Sequence, residues 1–171
     1  MRKEMANEQV LILMGSDSDA PIMQKAADVL SELGVAWQMT VASAHRSPDR
    51  VRRLVEQAPA AGIKVFLVGA GAAAHLAGVV AAHSTLPVIG VPIDSSPLKG
   101  WDSLLATVQM PPGVPVATVS VGKAGAVNAA VLAVQILAVA DGELTAKLKA
   151  YKATLAEKVD KAAAKVESAN S

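Results

Sequence analysis

Val10-Leu11-Ile12-Leu13-Met14 runs without a break into Gly15-Ser16-Asp17-Ser18-Asp19, and the reading of that junction decides the fold. Five consecutive apolar residues closed by small polar ones read as a strand covered on both faces, the habit of a parallel sheet. Beyond the junction, Ile22, Ala26, Leu30 and Leu33 recur at helical spacing until Gly34 stops them, so the strand hands over to a helix. A second junction has the same form. Trp37 to Val41 reads as a strand leading into Ser43-Ala44-His45-Arg46-Ser47-Pro48. There Ser47 suits an N-cap, Pro48 the first helical position and Asp49 the first turn of a helix reaching about Gln57.

The alternation continues. Val65 to Val68 reads as a third strand, Ala73 to Ala82 as a helix, and Val88 to Val91 as a fourth strand. A turn-rich stretch from Asp94 to Gly100 precedes a helix from Trp101 to Val108, Val114 to Val121 holds a fifth strand, and an alanine-rich helix follows from about Ala124 to Val139. This order predicts an α/β fold, a three-layer α/β/α sandwich with a parallel sheet, flavodoxin-like or Rossmann-like. At 171 residues and 52% hydrophobic content, one catalytic domain is expected over 1–171, with an N-terminal tail (1–9) and a C-terminal helical extension (142–171). In that extension Leu144, Leu148, Tyr151, Leu155 and Val159 form a stripe that needs a surface, either its own domain or a neighbouring subunit; Ser168 to Ser171 read as frayed.

Composition narrows the class. Sixteen basic and 15 acidic residues give a net charge of +1 with no run of one sign, which argues against nucleic-acid and membrane surfaces. Cysteine is absent, which excludes thiol catalysis, disulfides and thiolate metal sites and fits a reducing cytoplasm. Met1-Arg2-Lys3-Glu4 is charged but not followed by a long apolar segment, so neither a signal peptide nor a transmembrane helix is expected. With only 2% aromatic residues and abundant alanine, the core is built from small and β-branched side chains, a composition that hints at partner subunits.

Ligands of open α/β sheets bind outside the carboxyl ends of the strands, so the two polar clusters are predicted to face one pocket. At the first, a helix N-terminus with Ser16 and Ser18 hydroxyls suits an anion, while a cap by Ser18 or Asp19 explains the same residues equally well. Neither the P-loop lysine nor GxGxxG is present. At the second, Arg46 beside a helix start suits a phosphate monoester, and His45 can exchange a proton near neutral pH. His75 follows the small-residue stretch Gly69 to Ala74, where backbone can approach a ligand closely, or it is a satisfied helix residue. His83 reads as structural or exposed. The three histidines lack metal-ligand spacing and no nucleophilic triad assembles, which leaves a phosphate-bearing small molecule and acid–base work by histidine.

Five motifs occur in order: Gly15-Ser16-Asp17-Ser18-Asp19; Ser43-Ala44-His45-Arg46-Ser47-Pro48; Ala70-Gly71 with Ala73-Ala74-His75-Leu76; Leu86-Pro87-Val88-Ile89-Gly90-Val91-Pro92; and Gly100 with Asp102-Ser103-Leu104-Leu105 and Val108-Gln109-Met110-Pro111. Together, over roughly Val10 to Asp141, they closely resemble the bacterial class I N5-carboxyaminoimidazole ribonucleotide mutases of purine (IMP) biosynthesis. The chain departs from the family's habit at Ala72 (usually glycine), Ala77 (proline), Ala20 (often tryptophan) and Ala106 (often serine). The resemblance implies a cofactor-free isomerisation to 4-carboxy-5-aminoimidazole ribonucleotide, by decarboxylation and recarboxylation, in a homo-octamer. It implies that His45 is the catalytic acid/base and that Ser16, Asp19 and Arg46 bind substrate. The substrate-binding set expected on this basis also takes in Ser18, Ser43, Ala70, Gly71, His75 and Leu76, with no metal and no cofactor. The wall from Gly69 to Gly78 is expected to enclose carbon dioxide in a dry pocket. Three other readings stand beside it: direct carboxylation of aminoimidazole ribonucleotide, a nucleotide- or flavin-binding module, and a non-catalytic oligomeric scaffold. The flavin reading has few aromatics to stack, and the scaffold reading leaves the placement of His45 and Arg46 without a reason.

Overall fold

In the computed structural model, which describes residues 8–169, the run Val10–Met14 is β1 of a five-stranded parallel sheet. The expectations for Met1 to Glu4 and for Asn170 and Ser171 lie outside the described residues. The chain divides into two compact units, Met1–Ala133 and Val134–Ser171.

In the first unit, β1 is followed by a 3-10 turn (Asp17–Asp19), α1 (Ala20–Glu32), β2 (Trp37–Val41), α2 (Pro48–Gln57), β3 (Val65–Gly71), α3 (Leu76–His83), β4 (Val88–Ile93), α4 (Trp101–Val108), β5 (Ala117–Thr118) and α5 (Gly122–Ala138), whose residues 134–138 belong to the second unit. The strand order is β2-β1-β3-β4-β5, every pairing parallel, in the expected flavodoxin-like α/β arrangement. Alternate residues of each strand point to opposite faces. One face carries Leu11, Leu13, Phe66, Val68 and Val88 against Val51 and Val55 of α2 and Leu76, Ala77 and Val80 of α3. On the other, Gly69 lies under Met23 of α1, and a methyl there would collide with the Met23 sulfur. Phe66, the only phenylalanine, is fully buried, so the core depends on one large ring and many small aliphatic contacts.

Local boundaries differ from the sequence reading for identifiable reasons. β3 runs three residues beyond Val68 because Gly69, Ala70 and Gly71 pair with Val91, Pro92 and Ile93, and β4 lengthens to Ile93 with them. α3 starts at Leu76 rather than Ala73, since residues 72–75 are taken up by tight turns in which the Ala74 N–H donates to the Ala72 carbonyl (2.8 Å) and the His75 N–H to that of Ala73 (2.8 Å). Ser47 stands at the N-cap of α2, but its hydroxyl donates to the Ser43 carbonyl (3.2 Å) and accepts from the Ser43 N–H (3.1 Å) instead of capping. β5 keeps only two paired residues of the stretch from Val114 to Val121, and α5 begins two residues early, at Gly122.

In the second unit, Asp141 caps α6 (Gly142–Ser168), accepting from the N–H groups of Glu143 (2.9 Å) and Leu144 (3.1 Å). Helix extends through Ser168, where fraying was expected to begin. Leu144 is buried, whereas Leu155, Val159 and Val166 further along α6 are exposed.

Candidate active site

The carboxyl ends of β1, β2 and β3 and the loop after β4 line one open cleft of about 180 Å³. Its walls are Gly15, Ser16, Ser18, Asp19, Ser43, Ala44, His45, Arg46, Ala70, Gly71, Ala73, Leu76 and Ser95, so the two polar clusters do meet. Of the residues expected from sequence, His75 alone does not line it.

The β1 end is organised by its own hydrogen bonds. Ser16 caps the 3-10 turn: its hydroxyl accepts from the Ser18 N–H (3.3 Å) while Asp19 accepts from the Ser16 N–H (3.2 Å). The cap is thus Ser16, and neither Ser18 nor Asp19 makes a side-chain cap to α1. The Ser18 hydroxyl donates to that of Ser16 (2.9 Å), which donates to Asp17 (3.1 Å). Asp19 is buried; that burial pushes its carboxyl above the ordinary value of 3.8, with Asp17 adding repulsion and the Ser16 amide and Arg46 opposing.

Arg46 ties this end to the β2 end. Its Nη2 donates to the Gly15 carbonyl (2.9 Å), and its backbone N–H donates to the Ser43 hydroxyl (3.2 Å). Guanidinium N–H groups remain for an anion beside the Ser16 and Ser18 hydroxyls. A shallower lobe continues from Gly15, Ser16, Ser43 and Arg46 to Asp17, Val41 and Ser47.

His75 reaches the cleft through His45. His45 Nε2 and His75 Nδ1 are 2.9 Å apart, with ring centroids separated by 5.0 Å and planes at 82°. Two tautomeric arrangements satisfy this contact. When His45 Nε2–H donates, His45 Nδ1 is a bare base, and a proton added there makes the imidazolium that can act as an acid; when His75 Nδ1–H donates, His45 is a neutral ring whose Nδ1–H serves as a hydrogen-bond donor. The pair can therefore present either role. Ala72, at φ +50°, holds the turn that delivers His75.

Ser95 was missed. Its signal was available, because Asp94-Ser95 follows β4 as small polar residues follow β1 and β2, but the stretch reads locally as a turn. Among the described residues, no group of three or more His, Cys, Asp or Glu side chains is placed to hold a metal ion.

A family model described as AIR carboxylase matches residues 9–158. The chain belongs to the AIR carboxylase family. Similar relatives in sequence include the N5-carboxyaminoimidazole ribonucleotide mutase of Bacillus subtilis, 58% identical over 137 residues, covering 80% of this chain and 85% of that protein. The mutase of Pyrococcus horikoshii is 49% identical over 156 residues, covering 91% of this chain and 87% of its own. Among solved structures, the crystal structure of Treponema denticola PurE superposes with a TM-score of 0.84 at 28% identity, over 92% of this chain and 98% of that one.

Proposed function

We propose that this chain is an N5-carboxyaminoimidazole ribonucleotide mutase of purine biosynthesis, forming 4-carboxy-5-aminoimidazole ribonucleotide. The observation that carries the reading is a cleft with an anion cradle of Ser16, Ser18 and Arg46 at one end and His45, hydrogen-bonded to His75, in the same wall. Phosphate sits in the cradle and Asp19 accepts from ribose hydroxyls. Ser43, Ala70, Gly71 and Leu76 complete the walls, and His75 holds the ring of His45.

Protonated His45 gives a proton to the exocyclic nitrogen as the carbamate N–C bond breaks and becomes neutral; the bonding pair stays on nitrogen and carbon dioxide leaves. The ring carbon, enriched by that amino group, attacks carbon dioxide, and its proton returns to His45 as aromaticity is restored. Protons and electrons balance within the substrate and His45. Carbon dioxide has little to bind by, so enclosure between the two steps matters most.

The family's description names a carboxylase, and direct carboxylation shares the second half of this sequence. The deciding assay follows the carbamate substrate without ATP, metal or added bicarbonate. Conversion faster than the free decarboxylation of the carbamate supports the mutase; product formed only from aminoimidazole ribonucleotide plus carbon dioxide supports the carboxylase. Two further inferences belong to this reading. The protein works in the cytoplasm, which a cysteine-free chain fits, and among the described residues no helix is long and apolar enough to cross a membrane. It assembles as a homo-octamer, supported by the family resemblance and by exposed Trp101, Leu105 and Val108 along one face of α4.

A further inference from the structure

We propose that Ser95 is the hydroxyl donor to the migrating carboxylate, an assignment that rests on the mutase reading of the cleft. Four hydroxyls line this cleft, and three of them belong to the phosphate end at β1 and β2, where they also bond within the chain: Ser18 donates to Ser16, Ser16 donates to Asp17, and Ser43 accepts from Arg46. Ser95 is exposed in the cleft, and its hydroxyl has no hydrogen-bond partner among the described residues. A donor left unpaired in a site of this kind is free to act on the ligand.

Its position fits the reacting end. Phosphate recognition lies at β1 and β2, and the sheet order carries the cleft from β1 across β3 to β4. With neighbouring strands about 4.8 Å apart, the residue after β4 lies roughly two spacings, about 10 Å, from the β1 end. A ribose separates its phosphate from its base in the same sense. The Ser95 hydroxyl also fills the space in which Gly71 would carry a side chain, so it is seated against the wall facing the base.

Its loop is fixed at both ends. The buried Ser103 hydroxyl reaches the carbonyls of Ile93 (2.9 Å) and Gly100 (3.0 Å), and inside the loop Leu98 N–H donates to the Ser96 hydroxyl (3.1 Å) and Lys99 N–H to the Ser96 carbonyl (3.0 Å). A loop held this way places the Ser95 hydroxyl in the cleft before substrate arrives. One hydrogen bond then spans both half-reactions: to the carbamate carboxylate, to carbon dioxide while it is free, and to the carboxylate on the ring carbon.

The test compares wild type, Ser95→Ala and Ser95→Thr. Expected for Ser95→Ala is a loss of about 10- to 100-fold in kcat/KM for the carbamate, the scale of a hydrogen bond to a charged group. More aminoimidazole ribonucleotide should be released per product formed. Ribose 5-phosphate affinity and melting temperature should hold, and Ser95→Thr should recover most of the activity. Unchanged kcat/KM in Ser95→Ala, unchanged leakage, or a Thr variant as impaired as Ala overturns the assignment. A wild type that does not convert the carbamate overturns the mutase reading itself, whatever Ser95 does.

Discussion

His45 carries the proposed proton traffic, and asparagine in its place keeps size and hydrogen bonding while removing proton exchange. Turnover should fall about 100- to 10,000-fold with substrate still bound. His75→Asn should cost only about 5-fold, the scale of one neutral hydrogen bond of ~1 kcal/mol, because His75 acts through His45. Turnover and isothermal binding on both variants check this, and a dead His75→Asn beside an active His45→Asn exchanges their roles. Asp19 makes a second test. Its carboxyl lies above the ordinary 3.8 because it is buried, so the folded chain holds this proton more tightly than the unfolded chain. The stability linked to Asp19 is complete below 3.8 and is lost as pH rises through the folded value. Asp19→Asn has no charge to bury and keeps an oxygen for the Ser16 N–H. Its melting temperature should match wild type in acid and exceed it at neutral pH, while substrate binding weakens. A gap that narrows as pH rises contradicts this.

At the scale of the element, the turn between β3 and α3 is one of two places among the described residues, with Lys99 before α4, where a non-glycine residue stores backbone strain. An alanine at φ +50° costs about 1–2 kcal/mol, of which glycine recovers part while losing about 0.5–1 kcal/mol to its freer unfolded chain. Ala72→Gly should stabilise the fold by about 0.5–1 kcal/mol, a rise of a few degrees in melting temperature by calorimetry. A lower melting temperature means that the alanine methyl packs usefully. Strands and helices were legible wherever periodicity was local, as in Val10–Met14 or in Val51 and Val55 of α2. The end of β3 was not, because Gly69-Ala70-Gly71 is a poor strand by composition and becomes one only through its partner β4. Ser47 was legible as a helix start but not as the residue that pins Ser43, since nothing local distinguishes the two uses of its hydroxyl. His45 and Arg46 could be singled out at a strand end; the pairing of His45 with His75, thirty residues away, needs the sheet.

For the whole molecule, the proposed octamer needs surfaces, and α6 offers Leu155, Val159 and Val166 uncovered within the chain. Ending the chain after Asp141 should lower the assembled mass by light scattering while far-UV circular dichroism keeps the α/β signature. An unchanged octamer removes α6 from the contact. Strand order has another consequence. Because β2 and β3 flank β1, the His45–His75 bond arches over the carboxyl end of β1 and joins two loops whose strands never touch. Any swing of either loop parts the rings, so the imidazole nitrogen resonances form a native gauge, readable by NMR without an attached label, of how often the catalytic mouth stands ajar.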